Sequence, residues 1–128
     1  MESNANALNW FEIPASDIER AQEFYEAIFD IEMEPMPEMM GMKMVSFPAE
    51  MGNGKVSGAL ASSPYHMPSA EGTVVYLNAN PSIQDVLDRI EECDGQIQMP
   101  RTLISPEIGY MAFFIDTEGN RVGLHAQN

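Results

Sequence analysis

A chain of 128 residues suits one domain and can bury a real core without disulfide staples. Its 20 acidic and 6 basic side chains give a net charge of −14, which repels phosphate backbones and anionic lipid surfaces and so sets nucleic acid and membranes aside as partners. No apolar run is long enough to cross a bilayer, the start MESNANALNW lacks the parts of a secretion signal, and the lone cysteine, Cys93, cannot form an internal disulfide. These features point to the cytoplasm.

In chain order, WFEIP (10–14) alternates as a strand, with Phe11 and Ile13 on one side and Trp10, Glu12 and Pro14 on the other. Ser16 or Asp17 can cap a helix whose apolar stripe is Ile18, Ala21, Phe24, Tyr25 and Ile28. Three strands are expected next, at about 31–36, 42–48 and 55–62. Residues 63–72, SPYHMPSAEG, form a polar, proline-bearing connector in which His66 reads as a solvated loop residue. The same order then returns. A strand is expected over 73–79 and a helix capped by Ser82 carries Ile83, Val86, Leu87, Ile90 and Cys93, the cysteine as a small core residue. Gly95 stops that helix in a left-handed conformation, and strands follow at about 96–103, 110–116 and 121–126. The fold class is α+β, two βαβββ modules at about 7–62 and 73–126. Each helix covers one face of its sheet, and the two open faces can curl around a shared cleft.

The stretches WFEIPASDIERAQEFY (10–25) and EIGYMAFFIDTEGNRVGLH (107–125), with the repeat itself, resemble the vicinal oxygen chelate superfamily of glyoxalase I, bleomycin resistance proteins and extradiol dioxygenases. The resemblance spans the whole chain and implies the paired-module fold. The family's metal enzymes place ligands on the first, fourth, fifth and last strands. The matching positions here are Trp10, Ser57 or Gly58, Val74 and Gly123, none of them a useful ligand for a divalent cation. No metal and no cofactor are therefore expected, and metal-dependent glyoxalase or dioxygenase activity is disfavoured.

Strand parity turns Trp10, Glu12, Val74, Tyr76, Asn78, Arg121, Gly123 and His125 toward the cleft as candidate ligand-binding residues. Glu12 and His125 are the catalytic candidates, as base and acid, although Glu12 could equally be held by Arg121, Lys55 or Lys43, and His125 by a backbone carbonyl. Trp10 either stacks on a planar ligand or plugs the cleft. The methionines between 33 and 51 read as flexible core filling, as an adaptable wall, or as a thioether copper site. The glycines make no phosphate loop, and no Ser/His/Asp triad can be read. The reading is a metal-free protein that binds a small, partly apolar organic ligand, as a homodimer. One rival is a lyase or isomerase using Glu12 and His125, with or without a displaced metal site. Another is a ligand-free pairing module plugged by Trp10.

Overall fold

The computed structural model describes residues 1–50 and 52–128. Module 1 runs β1 (Trp10–Pro14), α1 (Ile18–Phe29), β2 (Glu34–Pro35), β3 (Lys43–Ser46) and β4 (Ser57–Ser62). Module 2 runs β5 (Tyr76–Asn78), α2 (Ile83–Glu92), β6 (Gln96–Ser105), β7 (Gly109–Ile115) and β8 (Arg121–Ala126). The sheets have the orders β1-β4-β3-β2 and β5-β8-β7-β6, with β1/β4 and β5/β8 parallel and the other pairs antiparallel. The doubled βαβββ pattern is thus the architecture.

Local chemistry explains the elements and their limits. Asp17 caps α1 from extended backbone and accepts the Arg20 N–H at 3.1 Å, while Ile18, Ala21, Phe24, Tyr25 and Ile28 are all buried. Ser82 stands at the start of α2, but its side chain makes no capping bond. The left-handed residue that ends α2 is Asp94 (φ 71°), not Gly95. Gly95 is needed for space instead: a Cβ there would lie 2.7 Å from Ile90 Cγ2 and 2.9 Å from Phe24 Cε1, so α1 could not approach so closely. The second strand of module 1 shrinks to Glu34–Pro35, because Pro35 and Pro37 remove ladder donors. Module 2's first strand is also shorter than its pattern, leaving Val74 half-buried just outside β5.

The helix-facing sides of both sheets feed one core. Ile13, Val45 and Leu60 from sheet 1 join Leu77, Ala112, Phe114, Val122 and Leu124 from sheet 2 through both helices. Phe24 and Tyr25 of α1 pack on Phe114 of β7, with ring centroids 6.0 and 6.3 Å apart, and Arg89 of α2 donates to the Ile28 carbonyl at the end of α1. Half-buried Cys93 packs against this core as a small apolar residue. A smaller cluster on the open side of sheet 1 holds Met44, Ala59 and Ala61, with Met42 against it. The methionines therefore divide. Met33 enters the shared core, Met42 and Met44 the small cluster, and Met36, Met39 and Met40 are exposed around the Met40–Gly41 turn, where both residues have positive φ. Met51 lies outside the described residues.

Candidate functional site

The DTEGN turn (116–120) welds module 2 to module 1. Buried Asp116 accepts the Tyr25 hydroxyl at 2.8 Å, the N–H groups of Glu118 and Asn120, and the Asn120 side-chain amide. Asn120 also donates to the Pro14 carbonyl at 2.7 Å and accepts the Ser69 N–H, so β1, the connector and the turn meet at one side chain. Glu118 accepts Arg20 Nε at 2.7 Å and Nη2 at 3.1 Å, together with the Asp17 N–H at 2.8 Å. Burial pushes the Asp116 carboxyl above its ordinary pKa, against the pull of its hydrogen bonds. Burial also pushes Glu118 up. There the bonds from Arg20, the Asp17 N–H and Thr117, with the nearby guanidinium charge, together outweigh it and leave the carboxyl lowered. Desolvation and the Asp116 charge raise the Tyr25 hydroxyl well above its usual value, so Tyr25 acts as a fixed donor.

On the open side of sheet 1, β1 and β4 align Trp10 with Ser57, Glu12 with Ala59 and Pro14 with Ala61. Glu12 finds none of the lysine or arginine partners expected for it. Its Oε2 accepts the Trp10 indole N–H at 3.2 Å and its Oε1 lies 2.8 Å from His66 Nε2. The other ring nitrogen of His66 lies 2.7 Å from Ser63 Oγ, which also accepts the Tyr65 N–H at 3.0 Å. His66 is thus not a solvated loop residue: its side chain is 14% exposed and ties the connector to β1. Serine, imidazole and carboxylate stand in series here, but Ser63 Oγ is engaged on both sides and closes a turn with the Ser63 carbonyl and the His66 N–H. The arrangement is a latch.

On sheet 2, Tyr76, Gly123 and Phe113 form one row across β5, β8 and β7, and Asn78, His125 and Met111 the next. His125 Nε2 lies 2.7 Å from the Ile108 carbonyl, and Asn78 accepts from the N–H and the side-chain amide of Asn80. Gly123 occupies the last-strand place where the family resemblance implies a metal ligand. A Cβ there would lie 2.7 Å from the Tyr76 ring, so the tyrosine fills the space a longer side chain would need. A Cβ at Gly58 would lie 2.4 Å from the Phe11 carbonyl oxygen. Trp10, Ser57, Val74 and Gly123 offer no carboxylate, imidazole or thiolate, so this set does not fit a divalent metal.

Three cavities touch the expected site residues. Tyr76, Asn78 and His125 line an open dish of about 460 Å³ with Ile104 and Met111. Glu12 and Arg121 line a crevice of about 210 Å³ with Pro14, Met67, Glu71 and Thr73. A third cavity, of about 540 Å³, lies between the modules. Leu8, Phe11, Phe29, Phe47, Val56 and Ser57 bound it on one side, and Val75, Tyr76, Leu77, Asn78 and Asn80 on the other. Parity thus assigns Tyr76 and Asn78 to an intermodule wall, but the apolar part of that wall comes from Phe11, Phe47 and Leu77, the residues turned toward the helices. Glu12 and His125 line different cavities and do not face one reacting atom. Periodicity gave no signal for Ser63, His66 or the phenylalanine wall, since each depends on how segments far apart in sequence dock.

Comparison with known proteins agrees with this geometry. Residues 8–48 match the family model "Bleomycin resistance protein-like N-terminal". No curated protein matches the sequence. Among solved structures, the genomically encoded fosfomycin resistance protein FosX from Listeria monocytogenes superposes with a TM-score of 0.65 at 15% identity, covering 100% of this chain and 94% of that one. A glyoxylase/bleomycin resistance protein/dioxygenase domain from Frankia sp. EAN1pec gives 0.68 at 11% identity, covering 98% and 100%. A glyoxalase I mutant from Zea mays gives 0.66 at 13% identity, covering 94% of this chain but only 46% of the maize protein. The paired βαβββ sheets define a glyoxalase-like fold. The family match covers residues 8–48, and the structural likeness at 11–15% identity shows the fold.

Proposed function

We propose that the protein binds a small, partly apolar organic molecule between its modules without a metal, as a cytoplasmic homodimer. The observation that carries the reading is the cavity of about 540 Å³ walled by Phe11, Phe29, Phe47, Val75 and Leu77, with Ser57, Asn78 and Asn80 as its polar groups. Volume and lining both match small-molecule sites, where apolar walls supply affinity and a few polar groups fix orientation. The "bleomycin resistance" and "fosfomycin resistance" in the relatives' names are in keeping with a small organic ligand. A lyase or isomerase using Glu12 and His125 is less favoured, because the two line separate cavities. The dimer is supported by exposed Leu103, Ile104 and Ile108 around the β6–β7 hairpin, and sedimentation velocity checks it. Two copies must sediment together for that part to stand. No helix is long and apolar enough to cross a membrane among the described residues.

The test uses N-phenylnaphthylamine, a neutral fluorescent probe that the net charge does not repel. Its emission should rise on binding the wild type. Val56→Trp, which fills the cavity from its rim, should abolish the rise while leaving the circular dichroism unchanged. An equal rise in both proteins, or none in either, rules the pocket out as the site.

A further inference from the structure

We infer, resting on the reading of the intermodule pocket above, that its occupant is an uncharged aromatic molecule carrying a carbonyl, held through that oxygen by the side-chain amides of Asn78 and Asn80. Asn78 ends β5, Asn80 follows two residues on, and both line the cavity of about 540 Å³. Both residues are exposed, so a ligand can reach their amides. Each has already spent its oxygen. Asn78 Oδ1 accepts the Asn80 backbone N–H at 2.9 Å and the Asn80 side-chain amide at 2.8 Å. Asn80 Oδ1 accepts the Gln127 N–H at 2.9 Å, which ties the pair to the residue after β8. Those backbone groups can only donate, so they fix which branch of each amide is the oxygen. Left over are N–H groups alone, both on Asn78 Nδ2 and one on Asn80 Nδ2.

The rest of the lining narrows the occupant. No charged side chain borders the pocket among the described residues. A carboxylate or an ammonium would leave water for these walls without meeting a counter-charge, which is costly. The net charge of −14 adds repulsion for an anion. Phe11, Phe29 and Phe47 supply aromatic wall, and the rings of Phe11 and Phe47 stand 5.7 Å apart with their planes at 44°, which suits a flat ring by edge or face. Ser57, on the opposite side, gives its proton to the Phe47 carbonyl at 3.3 Å, so it does not compete for a ligand carbonyl. A carbonyl oxygen accepts from the asparagine N–H groups and leaves nothing unpaired. A hydroxyl in its place keeps a proton for which neither asparagine oxygen is free. The asparagines lie open to water, which softens that penalty and makes the preference a modest one.

Competition against N-phenylnaphthylamine tests this with a matched pair, propiophenone and 1-phenylpropan-1-ol, in which a carbonyl replaces a hydroxyl. On the wild type the ketone should displace the probe with a dissociation constant about fivefold below that of the alcohol, and phenylacetate should displace it least. Asn78→Asp keeps an oxygen for both bonds from Asn80 and replaces the free N–H groups by a second acceptor. It should still bind the probe but reverse the order of ketone and alcohol. Equal displacement by ketone and alcohol on the wild type overturns the proposal while the pocket reading stands. Phenylacetate acting as strongly as the ketone does the same, as does an aspartate variant that keeps the wild-type order. The wild-type order decides even where the variant fails to fold. A probe that does not bind the wild type sinks the pocket reading itself, and this proposal with it.

Discussion

The two open sheet faces come from the same repeat and end up unlike. On sheet 1, Ala59 and Ala61 are fully buried under Met42 and Met44, and the connector returns to Glu12 through His66. On sheet 2, Tyr76 is 49% exposed, and His125 and Met111 line an open dish. The helix-facing sides, by contrast, merge into one core. A duplicated pattern thus fixes which side chains point where, while the methionines and the connector's His66 cover sheet 1 alone. Function should follow the asymmetry, and two of the three cavities, the crevice and the intermodule pocket, take their walls from both modules.

Three substitutions test that contrast, in falling order of effect. Phe114→Ala removes the ring on which Phe24 and Tyr25 of the other module pack, and should cost about 3–5 kcal/mol. Urea unfolding should show a single lowered midpoint for the whole chain. Two separate transitions would mean that the modules do not share a core. Glu118→Gln breaks the weld between the DTEGN turn and α1 and should cost about 1–2 kcal/mol near neutral pH, allowing for the half-exposed guanidinium it faces. Its effect depends on pH. Folding lowers the pKa of Glu118, so its contribution is full above the ordinary carboxylate value, about 4.3, and is lost as pH falls through the lowered one. Asp116, raised by burial, works in the opposite sense, because the native state gains stability as that carboxyl takes up its proton. The glutamine variant should therefore lose less stability than wild type on acidification. A parallel loss in both proteins would assign the acid sensitivity elsewhere. His66→Ala should cost only about 1 kcal/mol or less, since the pair is partly exposed. It should nonetheless change the emission of Trp10, the one tryptophan, whose indole shares the Glu12 carboxylate. Unchanged emission would mean that the latch does not hold in solution.

Much of this was legible in the residues. The stripe from Ile18 to Ile28 and the alternation of β1 and β8 specify elements and facing, because the helix and strand periods belong to local backbone geometry. The absence of metal-binding side chains at Trp10, Val74 and Gly123 was equally visible. The docking was not. Glu12 could have met a lysine or an arginine. That it meets His66 depends on where the connector lands, and no spacing encodes that. The pattern points to Gly95 as a helix stop, whereas its value is the room it leaves for Phe24. The intermodule wall eluded parity for the same reason, since parity says which way Phe11 points but not what stands opposite.

The bonds of the DTEGN turn also bear on how the chain reaches its fold. Tyr25 to Asp116, Asp17 to Glu118 and Pro14 to Asn120 join residues 91, 101 and 106 positions apart. Such contacts close long loops, and their entropy is lost before the reward arrives. Module 1 emerging first from synthesis would carry Tyr25 and the start of α1 with no acceptor to meet them. Residues 116–120 supply those partners, so the closing of the core waits until most of module 2 has been made.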